Sequence, residues 1–157
     1  MLSASQRRFI EAQRTAILGT IGRDGTPRLV PICYALSPHA QTAAVLYTPL
    51  DEKPKVSGDV RTLARARDIE RRADVTLLFD HWDEDWSSLG WLRLRGTGSL
   101  MAAHGAAANE HDDAVRALRS RYPQYVSHAI EAAPLIAIKL TSVTSWGSLD
   151  DTAAEGH

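Results

Sequence analysis

Only three of the eighteen basic residues in this 157-residue chain are lysines, and two of them sit together in the run Pro49-Leu50-Asp51-Glu52-Lys53-Pro54-Lys55. Two prolines stiffen that run, Tyr47 and Thr48 precede it, and a helix start is expected soon after it. Fixed cations, a hydroxyl and free backbone N–H groups in one place suit a phosphate group. Residues 53–72 hold seven basic side chains (Lys53, Lys55, Arg61, Arg65, Arg67, Arg71, Arg72) against Asp59, Asp68 and Glu70, in a chain whose formal charge is -1. The later arginines read more simply as a solvated helix face with intrahelical pairs such as Asp68 with Arg72.

Other chemistry is sparse. His81, Asp83 and Asp85 share one acidic loop and could converge on a metal, yet no second histidine is near in sequence and a solvated loop is the simpler reading. Cys33 lies among apolar neighbours, as a buried inert thiol would. His111 falls on a helical apolar stripe and reads as a packed histidine. The chain contains no Walker loop, no GxGxxG after a strand, no GxSxG, and no CxxC or HExxH. A 44% hydrophobic and 24% charged composition is that of a globular protein. The near-zero net charge and the lack of a stacking aromatic platform argue against a nucleic-acid binder. No apolar run approaches the roughly 20 residues of a membrane helix. The polar, periodic first segment is unlike a signal peptide, and a lone cysteine suits a reducing cytoplasm.

The elements that must hold these residues follow from pattern. Ser3 and Gln6 form a capping-box pair opening a short helix through Arg14. Ala16–Ile21 and Arg28–Ala35 read as a hairpin around Asp24-Gly25, with Pro31 requiring an edge or a bulge. Thr42–Thr48 is a third strand, and Val60–Arg72 a helix capped by Asp59. Asp74–Asp80 is a fourth strand. Trp91–Leu100 alternates cleanly and bends at Gly96 and Gly98. Asn109–Tyr122 is a helix stopped by Pro123, and Leu135–Trp146 is the last strand. This predicts one mainly β domain over residues 1–147, a six-stranded antiparallel barrel with flanking helices, and a flexible tail over 148–157.

The runs LGTIGRDGTPRLVPICYAL, LYTPLDEKPK, DVTLLFDHWDEDW and WLRLRGTG, with RYPQY and a closing SWG, resemble the pyridoxamine-5′-phosphate-oxidase-like split β-barrels of the FMN-binding type. Within them the chain looks most like the small bacterial branch assigned to the deazaflavin coenzyme F420. The resemblance covers nearly all of residues 5–147, and LYTPLDEKPK and FDHWDEDW are its most specific segments.

The resemblance implies a hydride-transferring oxidoreductase that uses F420, or alternatively FMN, on a small organic molecule. A carrier that binds its ligand without turnover is the alternative from another class. The resemblance puts Arg28, Val30, Pro31 and Ile32 beside the ring, and Tyr47, Thr48, Lys53 and Lys55 at the phosphate. The cleft of such proteins lies between two subunits of a homodimer, with Trp86, Trp91 and more weakly Trp146 as candidate wall residues. Arg61 and Arg65 would extend the basic groove toward an anionic tail. No side chain stands out as a proton donor. Two departures, the missing extended C-terminal segment and Lys-Pro-Lys in place of a Ser-Arg-Lys run, argue against oxidation of pyridoxamine phosphate itself.

Overall fold

A computed structural model of the chain describes residues 2–37, 44–50 and 63–149. The first helix, α1 (Ala4–Ala12), begins at the expected capping box: Gln6 N–H donates to Ser3 Oγ at 3.1 Å, and Ser3 N–H donates to Gln6 Oε1 at 2.9 Å. It leads into β1 (Ala16–Ile21), which pairs antiparallel with β2 (Pro27–Ile32). The turn between them is the Asp24-Gly25 turn, with Gly25 at positive φ and Asp24 Oδ1 accepting from Thr26 N–H at 3.0 Å.

The remaining strands are β3 (Ala35–Leu36), β4 (Val45–Pro49), β5 (Asp74–His81), β6 (Gly90–Met101) and β7 (Leu135–Gly147). They join one antiparallel sheet in the order β2-β1-β5-β6-β7-β4-β3. Seven strands stand where six were expected, because the run Arg28–Ala35 is not one strand. It breaks at Cys33-Tyr34, where the Tyr34 N–H leaves the ladder and donates to the Tyr122 hydroxyl at 3.1 Å. The break carries the chain from one edge of the sheet to the other, so the two edge strands are consecutive in sequence and the sheet curls on itself.

Pro31 sits on an edge strand, in unbroken register opposite Ile17. Pro27 and Pro31 share parity with Leu29, and neither proline can donate to β1. Their positions are therefore those whose backbone groups point away from the sheet. Between the two prolines, Leu29 supplies the outward N–H of that edge.

The barrel interior is filled by Leu18, Leu46, Leu77, Phe79, Leu92, Leu94, Ile136 and Ile138. Phe9 and Ile10 of α1 close one end. Ala66 and Ile69 of α2 (Ala64–Arg71) close the other, where Ile69 meets Gly98. Residues 60–62 of the expected second helix, and its expected cap Asp59, lie outside the described residues, as does the start of the third expected strand. A second cluster packs α3 (Ala108–Arg121) on the sheet through His111, Ala114, Val115 and Leu118. His111 is packed as expected, its Nε2 lying 2.8 Å from the Ala133 carbonyl. Cys33 is partly exposed at the margin of this cluster rather than buried.

Two glycines close the sheet. At Gly96 the β6–β7 register shifts, and a Cβ there would stand 2.7 Å from the Lys139 carbonyl oxygen and from Ile138 Cγ2. At the far end Gly147 adopts φ 77°, and the Ser148 N–H donates to Leu89 O at 2.8 Å. A Cβ on Gly147 would lie 2.1 Å from that same oxygen. Gly147→Ala is expected to lose about 2 kcal/mol or more of stability, read as a lower urea midpoint at unchanged slope.

Candidate functional site

Antiparallel partners share a face, so the register fixes what the sheet shows to the outside. Opposite pairs run Pro31–Ile17–Leu78–Arg93–Thr144, then Leu29–Gly19–Thr76–Arg95–Ser142, with Asp80–Trp91–Trp146 beside them. Strands β2, β1, β5, β6 and β7 thus carry an outer face that is apolar at one end and polar at the other. Ile17, Gly19, Leu29, Leu78 and Trp91 floor a groove of about 480 Å³, with Asp80 and Arg93 at its rim. A polar cleft of about 710 Å³ continues from it past Thr76, Arg72, Arg95, Thr97 and Ser142. Leu29 is 71% exposed, an unusual state for a leucine in a strand. Gly19 keeps the groove open: a Cβ there would meet Leu29 Cδ2 at 3.2 Å.

The opposite side of the β1–β2 hairpin is polar in a different way. Asp68 of α2 is fully buried, and its Oδ2 accepts from Thr20 Oγ1 at 2.9 Å and from Arg28 Nε at 2.9 Å. Its Oδ1 accepts from Arg71 Nη2 at 2.5 Å. Asp68 is therefore not part of a solvated face and does not pair with Arg72, whose Nε lies toward Asp74 instead. The inward direction of Asp68 puts its carboxylate over β1 and β2, where Arg71 of the next helical turn still reaches it and Arg72 does not.

The expected site residues fall into three groups. Arg28 and Pro31 lie exposed on the open edge strand, with Leu29, which was not among the expected residues, between them. Val30 is half-buried beside Ile32, which faces the interior. Tyr47 and Thr48 on β4 are buried. The Tyr47 hydroxyl donates to Glu110 Oε1 of α3 at 2.8 Å. Lys53, Lys55 and Arg61 lie outside the described residues, and Arg65 Nη2 reaches the Pro49 carbonyl at 3.4 Å. Trp91 faces the groove. Trp86 is 79% exposed on a short 3-10 turn capped by Asp85, and Trp146 is half-exposed opposite Trp91. Among the described residues, no group of three potential metal ligands converges. His81 Nε2 stands 3.9 Å from Asp83 Oδ2.

A further polar knot was not expected from the sequence. Tyr34, Arg121 and Tyr122 gather carbonyls from the end of α1 and from Gln13 and Arg14 just past it. Arg121 donates to Glu11 O at 2.9 Å and to the Gln13 carbonyl, and Tyr122 OH donates to Arg14 O at 2.9 Å. The Tyr34 hydroxyl lies against the Ile10 and Gln13 carbonyls. The knot fixes the end of α1 and the strand break at once.

Burial holds the Tyr34 and Tyr47 phenols above their ordinary value of 10.0, and the Glu110 hydrogen bond adds to the shift at Tyr47. A raised folded value means the protonated phenol is favoured by folding. That contribution is complete below pH 10 and is lost as the pH climbs above it. Ultraviolet titration is expected to show both phenols ionising only together with alkaline unfolding, followed by circular dichroism. A reversible early transition of either one in the folded chain contradicts this.

The curled antiparallel sheet with helices at its ends and flank is that of the split-barrel class. The family model for pyridoxamine 5′-phosphate oxidase matches residues 2–147, and the chain belongs to that family. Among solved structures, a conserved hypothetical protein from Mycobacterium tuberculosis is similar at TM-score 0.68 and 19% identity, over 94% of this chain and 86% of that one. A FAD-binding protein from Mesorhizobium loti is similar at TM-score 0.61 and 20% identity, over 92% and 94% of the two chains. The haem storage protein HutZ from Vibrio cholerae follows at 0.60 and 12%, over 88% and 89%. At such identities the likeness is one of fold. A search of curated proteins finds no match. Among the described residues no helix is long and apolar enough to cross a membrane.

Proposed function

We propose that this chain is an oxidoreductase that binds coenzyme F420 and passes hydride between it and a small organic molecule, with FMN as the alternative cofactor of the same slot. The observation that carries the reading is the amphipathic outer face beside β2. An apolar groove of about 480 Å³ borders β2, an edge strand that has no outer partner strand among the described residues, and it runs on into a polar cleft. That size suits a flat ring system. Gly19 and Leu29 shape the floor, and the Leu29 N–H and neighbouring carbonyls are available to the polar rim of a ring. A deazaflavin, when bound, supplies hydride chemistry with little reactivity toward oxygen.

The chain's own contribution is binding, orientation and exclusion of water. The resemblance assigns the phosphate to Lys53 and Lys55. The exposed Leu29, Leu78, Trp86 and Trp146 leave apolar surface that a second copy would cover, in keeping with a cleft shared between two subunits. A flavin-binding and a haem-storing protein both share the fold, which supports a carrier as the second reading.

Titration with F420 and FMN side by side tests the proposal. Quenching of F420 fluorescence at lower concentration than any FMN response is expected, followed by consumption of reduced F420 with at least one unsaturated acceptor. Binding without turnover across a broad acceptor panel supports the carrier, and binding of neither cofactor overturns both readings. A strictly monomeric mass by light scattering overturns the shared cleft.

A further inference from the structure

Asp68 holds more positive charge than its own neutralisation requires. One guanidinium would balance the buried carboxylate, yet Arg28 and Arg71 both bind it, one on each oxygen, and Thr20 adds a neutral donor. The three ionised groups sum to +1. Both arginine side chains remain 50% and 42% exposed while the carboxylate is 1% exposed. Arg28 uses Nε on Asp68, so its terminal nitrogens stay free to donate elsewhere. No acceptor among the described residues takes a hydrogen bond from them. Gly22 makes room for this arrangement, since a Cβ there would lie 3.1 Å from Arg28 Nη2 and 3.1 Å from Asp24 Oδ1. The fully exposed Asp24 carboxylate on the hairpin turn feels Arg28 only weakly and makes no hydrogen bond to it among the described residues. Two guanidiniums so close repel each other unless something negative lies between or above them. Asp68 fills the place between them, and the open side faces solvent.

We propose that Asp68 is a positioning residue that holds Arg28 and Arg71 side by side as a receptor for an oxyanion, a phosphate or carboxylate, carried by a bound ligand. Fixed paired guanidiniums match such groups in shape as well as charge. The inference rests on the cofactor reading only in taking the anion to be part of that cofactor; a phosphate on the substrate would use the same groups.

The test turns on a sign. Asp68→Asn removes a negative charge, so electrostatics alone predicts tighter anion binding. Positioning predicts weaker binding, because the two arginines lose their common anchor. Calorimetric titration of the full chain with inorganic pyrophosphate at low salt is expected to show binding. Affinity should fall about tenfold in Asp68→Asn and in each of Arg28→Gln and Arg71→Gln, as loss of a charge-assisted contact does. Asp68→Glu, which keeps the charge and shifts the anchor, should also weaken binding, and it serves if the asparagine variant does not fold. Unchanged or tighter binding in the Asp68 variants overturns the positioning role. No binding by the unaltered chain, or full binding by the arginine variants, overturns the receptor.

Prior saturation with F420 or FMN separates the sources. Blocked pyrophosphate binding assigns the anion to the cofactor, and simultaneous binding assigns it to the substrate; both support the receptor. Pyrophosphate binding in a chain that takes up neither cofactor sinks the cofactor reading and leaves the receptor standing.

Discussion

Replacing Asp68 by alanine is expected to lower folding stability by about 3 kcal/mol, at the low end of the range for breaking a buried ion pair from one side. The loss has two parts. Thr20, itself buried, is left with a hydroxyl that has no acceptor, and α2 loses its polar tie to the β1–β2 hairpin across 40 and 48 residues of chain. The two arginines are half-exposed and can recover hydration, which keeps the figure from the upper end of the range. For a chain of this length the change is about 6–12 °C in Tm. Denaturant melts checked by two probes measure it, and a loss below about 1 kcal/mol would mean that the carboxylate is hydrated in solution.

The larger expected effect is on binding. Lys53→Ala and Lys55→Ala should each weaken cofactor affinity by about 1.5–3 kcal/mol where the ammonium meets the phosphate directly. If both do, the double variant loses about two to four orders of magnitude, less any coupling between neighbours. On this reading both lysines serve the ligand rather than the fold, so stability of the cofactor-free chain should move by no more than about 0.5 kcal/mol. Lys139, exposed on β7, is the third lysine and the natural control. Its alanine variant should bind as the parent does, whereas full affinity in the Lys53/Lys55 double variant refutes the phosphate assignment.

Local patterns carried much of the architecture. The capping box at Ser3, the Asp24-Gly25 turn, the alternation through Leu92 and Leu94, and the edge position of Pro31 are each set by residues a few places apart, and each appears as expected. The features the sequence hid are those made by distant partners. Nothing near Tyr34 announces that its N–H will leave the ladder for Tyr122, 88 residues on, so the strand break and the seventh strand were not legible. Asp68 looked like one acid among surface arginines, because helical spacing does not say which side of a short helix meets the hairpin.

For the site, family likeness named β2 and the lysine run. The outward face with Leu29, Leu78 and Trp91 emerged only once strand register was known. The single hint was the alternation that set Trp91 and Arg93 opposite the leucines. His111 was legible because an ionisable residue on an apolar helical stripe has few other places to go.

The two prolines of β2 have a consequence beyond ligand binding. An exposed strand margin ordinarily invites a further chain to zip onto it, the first step toward fibrous assembly. With Pro27 and Pro31 on that margin, a neighbouring strand would find one amide hydrogen where it needs three, so growth by lateral strand addition is starved at its first rung. The molecule can leave this flank bare for other uses without becoming a seed for aggregation.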